Sequence, residues 1–374
     1  MSWQEWALGE LDSVRRADRW RKLVAFDGNG VRGSVGGRRV ISFATNDYLG
    51  LANHPSVRAA AHSAIDQYGT SAGASRLVVG TRSLHLELEA AIAAWKGCER
   101  ALVFPTGYAA NLGVLSTLGT AETTIFSDAL NHASIIDGCR LSKAKSIVYR
   151  HRDCEQLQLL LATTPGRKIV VTDSVFSMDG DVAPLLEIGR VCMTHGALLI
   201  IDEAHAVFDS ERPGPDGTRD DALRGVEMLR VGTLSKALGS LGGWVAGSGA
   251  LIDLLVNRAR SFIYTTGLSP ADTAAAAAAL QIVRGPEGQR LRARLRQSVD
   301  RIEPSHPSPI VPIVLGSDQA ALAAAETLLG AGIYVPAIRP PTVAPGTARL
   351  RVTLSAAHTE AMVAQLKHAL DKLR

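Results

Sequence analysis

The sequence predicts an α/β protein built on a mainly parallel sheet, followed by a smaller α+β unit near its C-terminal end. Three observations predict it. Short, continuously apolar runs at 101–104, 124–126, 146–149, 168–172, 197–201 and 228–232 alternate with helical patterns such as 108–118, 135–141, 154–162 and 185–195. Apolar strands separated by helices indicate parallel pairing with both sheet faces covered. At 374 residues, with 46% hydrophobic and 20% charged residues, the chain can bury large cores, and roughly 150 residues per domain gives two or three domains. The punctuation Gly285-Pro286-Glu287-Gly288 reads as a boundary, beyond which 310–315, 319–329, 333–336, 349–354 and 359–373 suggest a mixed α+β unit.

The elements follow in order. Residues 1–50 read as an arm, in which helical spacing over 3–21 precedes a glycine-rich hairpin ending at 40–43. Residues 51–284 form the large domain, opened by helical patterns at 55–68 and 85–95 and closed by 251–260 and an alanine-rich helix at 273–283. Residues 285–374 are the small domain.

Composition excludes several classes. Lys plus Arg is 40 against 36 Asp plus Glu, a surplus of +4, too small and dispersed for a dedicated nucleic-acid binder. No apolar run approaches the ~20 residues of a membrane helix, and Met1-Ser2-Trp3-Gln4-Glu5-Trp6 does not resemble a secretory signal. Cys98, Cys139, Cys154 and Cys192 lie far apart without a CxxC pair, which suits reduced thiols in the cytoplasm. There is no HExxH and no metal-ligand spacing among the histidines.

Three motifs fail their context. Gly28-Asn29-Gly30-Val31-Arg32-Gly33 fits GxGxxG, but the following Ser34-Val35-Gly36-Gly37 cannot open the helix that a dinucleotide site needs. Gly69-Thr70-Ser71-Ala72-Gly73 fits the hydrolase GxSxG turn, yet a helix precedes it rather than a strand. Asp202-Glu203-Ala204-His205 after an apolar run resembles an ATPase strand, but the phosphate-cradling GxxxxGK[ST] loop is missing.

Lysine is scarce, only eight of the 40 basic residues. Lys236 is the sole charged residue between Val231 and Ile252, set among small residues just after an apolar run. Such an amine is open to desolvation, which lowers its pKa toward nucleophilic use. Asp202 closes another apolar run, where open α/β sheets bind their ligands. A lysine for a Schiff base plus a strand-end carboxylate for a pyridine nitrogen is what pyridoxal 5'-phosphate (PLP) requires. Thr106-Gly107-Tyr108, at a strand-to-helix junction, offers N–H groups to the phosphate.

These residues carry a family resemblance. Asn46-Asp47-Tyr48-Leu49-Gly50-Leu51, Gly73-Ala74-Ser75-Arg76-Leu77-Val78, Asn131-His132-Ala133-Ser134, the passage from Asp173 to Asp181, Asp202-Glu203-Ala204-His205, Thr233-Leu234-Ser235-Lys236, Phe262-Ile263-Tyr264-Thr265-Thr266 and Pro345-Gly346-Thr347-Ala348-Arg349-Leu350-Arg351 resemble the α-oxoamine synthases. The resemblance implies the aspartate-aminotransferase-type fold (fold type I) and a homodimer with a shared active site. It implies that Lys236 carries PLP and moves the Cα proton, that Asp202 pairs with the ring nitrogen, and that His205 bonds the phenolic oxygen with Ser177 nearby. His132 would stack on the ring. Thr106, Gly107, Tyr108 and Thr233 would hold phosphate or ring, and Thr265 and Thr266 would reach in from the partner.

Asn46 would position the amino acid, and Arg349 would bind its carboxylate. Arg351, two residues on, shares that face of its strand, so only the family motif favours Arg349. Arg21 would approach the acyl chain, in competition with Arg16 and Arg19. Two departures stand out: Asp173 where many relatives have Glu, and Ala206 where many have Gly. The reaction implied is a decarboxylating condensation of an amino acid with an acyl-CoA. Arg76-Leu77-Val78-Val79-Gly80 and 131–140 look most like members using L-alanine and pimeloyl-CoA, or carrier-bound pimeloyl. The alternatives are members joining glycine to acetyl-CoA, and an inactive regulatory subunit, which would typically lack Lys236.

Overall fold

The computed structural model of the chain describes residues 1–17, 19–208, 223 and 225–373. Ser2 starts α1 (Trp3–Arg16): its hydroxyl accepts the Glu5 N–H while the Glu5 carboxylate accepts the Ser2 N–H, a reciprocal cap. No residue of α1 is buried. Three antiparallel strands follow, β1 (Phe26–Asn29), β2 (Arg32–Val35) and β3 (Arg38–Ser42). The expected glycine hairpin is formed, with Gly28 opposite Gly33. A Cβ on Gly28 would lie 2.4 Å from Arg32 O, so only glycine fits.

The helices α2 (Pro55–Tyr68) and α3 (Ser83–Lys96) lead into a seven-stranded sheet. Its strands are β4 (Arg100–Phe104), β5 (Thr123–Asp128), β6 (Lys145–Tyr149), β7 (Arg167–Asp173), β8 (Leu198–Asp202), β9 (Met228–Thr233) and β10 (Gly243–Gly247), in the order β4-β10-β9-β8-β7-β5-β6. Six of these are the apolar runs of the sequence, and the helices α4 (Gly107–Leu118), α5 (Ala133–Leu141), α6 (Cys154–Thr163) and α7 (Leu185–Thr194) lie between them. Strand β10 was not expected. It runs antiparallel to both neighbours, and its glycine ends and five-residue length hide it among turn signals. Gly232 makes room for it, since a Cβ there would meet the Trp244 ring at 2.3 Å.

Side chains alternate between the two faces. Ile125, Val171 and Ile200 enter one apolar cluster with α4 and α5, whereas Phe126, Val170, Leu199 and Ile201 enter another with α6 and α7. Helix α8 (Gly249–Arg258), the short α9 (Arg260–Ile263) and the alanine-rich α10 (Pro270–Arg284) complete this part.

One residue, Gly285, separates α10 from α11 (Pro286–Ile302). The sequence reading treated this stretch as a boundary and missed the helix, because five arginines mask its apolar stripe. That stripe is nevertheless regular: Leu291 packs against the core, and Leu295, Val299 and Ile302 are buried in it. Beyond it, β11 (Ile310–Gly316), α12 (Asp318–Gly330), β12 (Ile333–Tyr334), β13 (Ala337–Ile338), β14 (Ala348–Thr353) and α13 (Glu360–Asp371) follow. Strands β11, β14 and β13 form an antiparallel sheet, while β12 pairs parallel to β3 of the arm.

The arm is fastened there a second time. The His358 ring stacks on Phe43 at 4.1 Å, accepts the Ser355 N–H and donates to Ser42 O at 2.9 Å. Burial lowers its pKa to about 4, which keeps it neutral and fixes that pattern. A single apolar cluster takes in Val31 and Phe43, Leu88 and Trp244, and Val299, Leu350 and Leu366, so it crosses both segment limits placed at 50 and 284. Among the described residues no helix is long and apolar enough to cross a membrane. The four cysteines are unpaired.

Candidate active site

The loops leaving β4, β5, β7, β8 and β9 at their carboxyl ends carry Thr106, His132, Ser177, His205 and Lys236 respectively, where open α/β sheets place their ligands. The parallel register sets Asp173 beside Asp202, one at the end of β7 and one at the end of β8. Chain segments far apart in sequence thus converge.

Lys236 Nζ lies 2.8 Å from His205 Nε2, and His205 Nδ1 lies 2.6 Å from the Tyr48 hydroxyl. Tyr48 donates onward to Asn46 Oδ1 at 3.2 Å, an oxygen that also accepts from Arg351 Nη1 at 3.2 Å. This order of donors makes His205 Nδ1 the protonated nitrogen and Nε2 the acceptor for lysine. Burial, then the charges of Lys236 and Arg351, hold His205 well below the usual imidazole range, so it is neutral. Burial also lowers Lys236 to about 8, against the pull of Asp202 and Asp173, with Arg351 adding to the lowering. An amine so placed has a neutral fraction of roughly a tenth at pH 7.

Asp202 is buried and held on both oxygens. Asn111 Nδ2 donates to Oδ2 at 2.6 Å, and the Ala204 N–H donates to Oδ1 at 2.9 Å. Asn111 also donates to Ser134 Oγ, which lies 2.8 Å from His132 Nδ1. Asp173 Oδ2 accepts the His132 N–H at 2.8 Å. Burial and then the Asp202 charge raise Asp173 well above the ordinary carboxylate range. Glu203, next in the Asp202-Glu203-Ala204-His205 motif, turns away into a buried ion cluster with Lys96 and, at 3.6 Å, Arg230. It has a structural role.

The Thr106 hydroxyl caps α4 by accepting the Ala109 N–H at 3.0 Å, leaving the N–H groups of Gly107 and Tyr108 without intrahelical acceptors. A Cβ on Gly107 would fill the space toward Thr233, 3.4 Å from its Cβ. The bare glycine leaves a cradle between the helix start and Thr233. The exposed Tyr108 hydroxyl donates to Asp137.

The two arginines part company. Arg349 pairs with Asp179 and donates to Thr347 O at 3.0 Å. Arg351 donates to Ser177 O at 2.5 Å, to Asn46 and to Thr353 Oγ1, and its charge is felt at both His205 and Lys236. The structure therefore joins Arg351, not the expected Arg349, to the lysine network. Both face the same way; what differs is the wall each one meets. Thr266 pairs with Ser75 in an isolated bridge, so it and Thr265 lie outside this network. Arg21 is exposed and donates to Thr342 Oγ1 at 3.2 Å, next to Arg339, which donates to Trp20 O. Ser71, in the GxSxG match, only accepts the Gly73 N–H after a helix.

The family model described as Aminotransferase class I and II matches residues 38–370. The chain belongs to this family. Among its relatives, the 8-amino-7-oxononanoate synthase of Anaeromyxobacter dehalogenans is 48% identical over 371 residues, covering 91% of this chain and 92% of that one. That of Geobacter sulfurreducens is 44% identical, covering 98% and 97%. In structure the chain is similar to a serine palmitoyltransferase from S. paucimobilis with a bound PLP–myriocin aldimine (TM-score 0.88, 29% identity, 98% of this chain and 96% of that chain). It is also similar to the 8-amino-7-oxononanoate synthase of Francisella tularensis (TM-score 0.74, 30% identity, 89% and 96%). The large-domain architecture is that of fold-type I transferases.

Sequence reasoning within this family missed Asn111 and gave Tyr48 and Ser134 no role. Asn111 had a faint signal: it follows Gly107 by four residues, and so shares its helix face, as the one polar residue between Ala109 and Leu115. Tyr48 had none, because its partner His205 is 157 residues away.

Proposed function

We propose that this chain binds PLP and condenses L-alanine with a pimeloyl thioester, releasing CO2 and the thiol carrier to give 8-amino-7-oxononanoate. The observation that carries this is the half-buried Lys236, its amine lowered to about 8 and lying 2.8 Å from His205, with Asp202 attracting its charge, at the ends of the adjacent strands β8 and β9. The relatives' names supply the substrate class.

The residues fit the cofactor. Asp202, held by Asn111 and Ala204 N–H, presents a fixed carboxylate, and the start of α4 beside Gly107 offers N–H donors to a phosphate. His205 would meet the phenolic oxygen through Nε2, the nitrogen that faces Lys236, and the exposed His132 ring forms a wall. When bound, PLP supplies an electron sink for the carbanion at the amino-acid Cα. Lys236 takes and returns the Cα proton, for which a pKa near the working pH is best. The Arg351 fork and Asn46 bind the amino-acid carboxylate before it leaves. One C–C bond forms between Cα and the acyl carbon, while the thioester C–S bond and the bond to the carboxylate break.

The exposed Leu77, Val78 and Val79 lie beside the Ser75–Thr266 bridge. An apolar edge of this kind suits contact with a second copy, which supports a homodimer in which Thr265 and Thr266 serve the partner's site, while four unpaired cysteines suit the cytoplasm. The test is CoA release from pimeloyl-CoA with L-alanine, compared with acetyl-CoA plus glycine. Activity only with the second pair overturns the substrate assignment. Purified protein is expected to absorb visible light with PLP, and Lys236→Ala to abolish that band; a protein that stays colourless with PLP refutes the reading.

A further inference from the structure

One charged cluster beside the site takes no part in the chemistry above. His151 bonds carboxylates with both ring nitrogens: Nδ1 to Asp128 Oδ1 at 2.8 Å and Nε2 to Asp181 Oδ2 at 2.7 Å. Its ring meets Phe176 edge to face at 4.4 Å. The Arg152 guanidinium also reaches Asp181, at 3.2 Å. Arg152 itself has φ +59°, a left-handed backbone that a non-glycine residue keeps only where its surroundings enforce it. Here the Asp128 carboxylate does so, accepting the Arg152 N–H at 2.8 Å and the Leu130 N–H at 2.9 Å.

The two carboxylates belong to two walls of the site. Asp128 ends β5 and sets the turn leading to His132. Asp181 closes the loop that leaves β7, in which Phe176 N–H donates to Asp181 O and Gly180 N–H donates to Phe176 O. That loop carries Ser177 O, the acceptor for Arg351, and Asp179, the partner of Arg349. Only a doubly protonated imidazole can donate to both carboxylates at once. Burial disfavours that form, but the bonds to Asp128 and Asp181 outweigh it and raise His151 to about 9.

We infer that His151 is a positioning residue for the condensation: by tying Asp128 to Asp181 it fixes the loop whose Ser177 carbonyl aims the Arg351 guanidinium, and so sets affinity for the amino-acid substrate. His151 need not touch any reacting atom. Its action runs through the loop and Arg351, and it rests on the reading of the site as an L-alanine-binding one.

The test uses the full-length holoenzyme and the variants His151→Asn and Asp181→Asn, which cut the clamp from either side. For both, the KM and the spectroscopically titrated dissociation constant for L-alanine are expected to rise about tenfold. The kcat and the PLP affinity should stay within about threefold of the parent. Hydrogen exchange at Phe176 and Gly180 should speed up. In an Arg351→Lys background the His151→Asn effect on L-alanine affinity should shrink to about twofold, since the two changes share one route. An unchanged L-alanine affinity in both variants, equal loss of kcat and PLP affinity, or full additivity with Arg351→Lys overturns the inference. Failure of the parent enzyme to bind L-alanine at all overturns instead the functional reading on which it stands.

Discussion

Replacing Arg351 by Ala tests the assignment of the substrate-carboxylate site most directly. A carboxylate bound by a guanidinium fork makes two charge-assisted hydrogen bonds, each worth about 1.5–3 kcal/mol. Losing both amounts to roughly 3–6 kcal/mol, or about two to four orders of magnitude in L-alanine KM at ~1.4 kcal/mol per tenfold. Arg351→Lys keeps the charge but loses the fork, and should weaken binding by about tenfold. Arg349→Ala is the control. Arg349 is itself buried, but it bonds Asp179 and Thr347 O rather than Asn46 or Ser177 O, so L-alanine KM should change by no more than about fivefold, or about 1 kcal/mol. Steady-state kinetics at saturating acyl thioester, with PLP occupancy checked by absorbance, separates the three variants. A larger KM increase in Arg349→Ala than in Arg351→Ala refutes the reasoning.

Three further outcomes are expected. Asn111→Leu keeps the volume of the side chain but removes the donor to Asp202 Oδ2; about 1.5–3 kcal/mol for a bond to a charged group should weaken PLP binding roughly 10- to 100-fold, as read from cofactor retained after dialysis. Glu89 holds the buried Arg76 with bonds of 2.8 and 3.0 Å and also accepts the Val103 N–H, so Glu89→Ala strands a buried charge. It should lower unfolding stability by about 3–5 kcal/mol, seen as an earlier urea midpoint. His151 has a folded pKa of about 9, above its ordinary 6.5, so its contribution is fully present below pH 6.5 and is lost as pH rises through 9. The loss is about 3 kcal/mol at most. His151→Asn should flatten the stability–pH curve between those values, and an unchanged slope by urea titration counts against the clamp.

The parallel sheet and the positions of its catalytic loops were legible in the sequence because both are local signals. A continuously apolar run marks a strand buried on both faces, and its last residue marks the end where Asp202, Thr233 and then Lys236 emerge. The lone charge between Val231 and Ile252 made Lys236 visible for the same reason. The glycine hairpin at Gly28 was also local, since the residues after it could not begin a helix. Strand β10 and helix α11 escaped because their local composition argued against them: glycine ends in one, five arginines in the other. Long-range packing under Trp244 and against Leu295 decided both.

What only the tertiary structure decided is which side chains share a bond. Arg349 and Arg351 are equivalent by the period of two, and the choice between them depends on the loop after β7 that lies against β14. The bonds from Lys236 through His205 to Tyr48, the Asn111 bond to Asp202, and the His151 clamp all join residues at least 23 positions apart in the chain. Periodicity tells a residue which face it is on. It carries no information about the partner on the facing element, which is set by the register and packing of the whole fold.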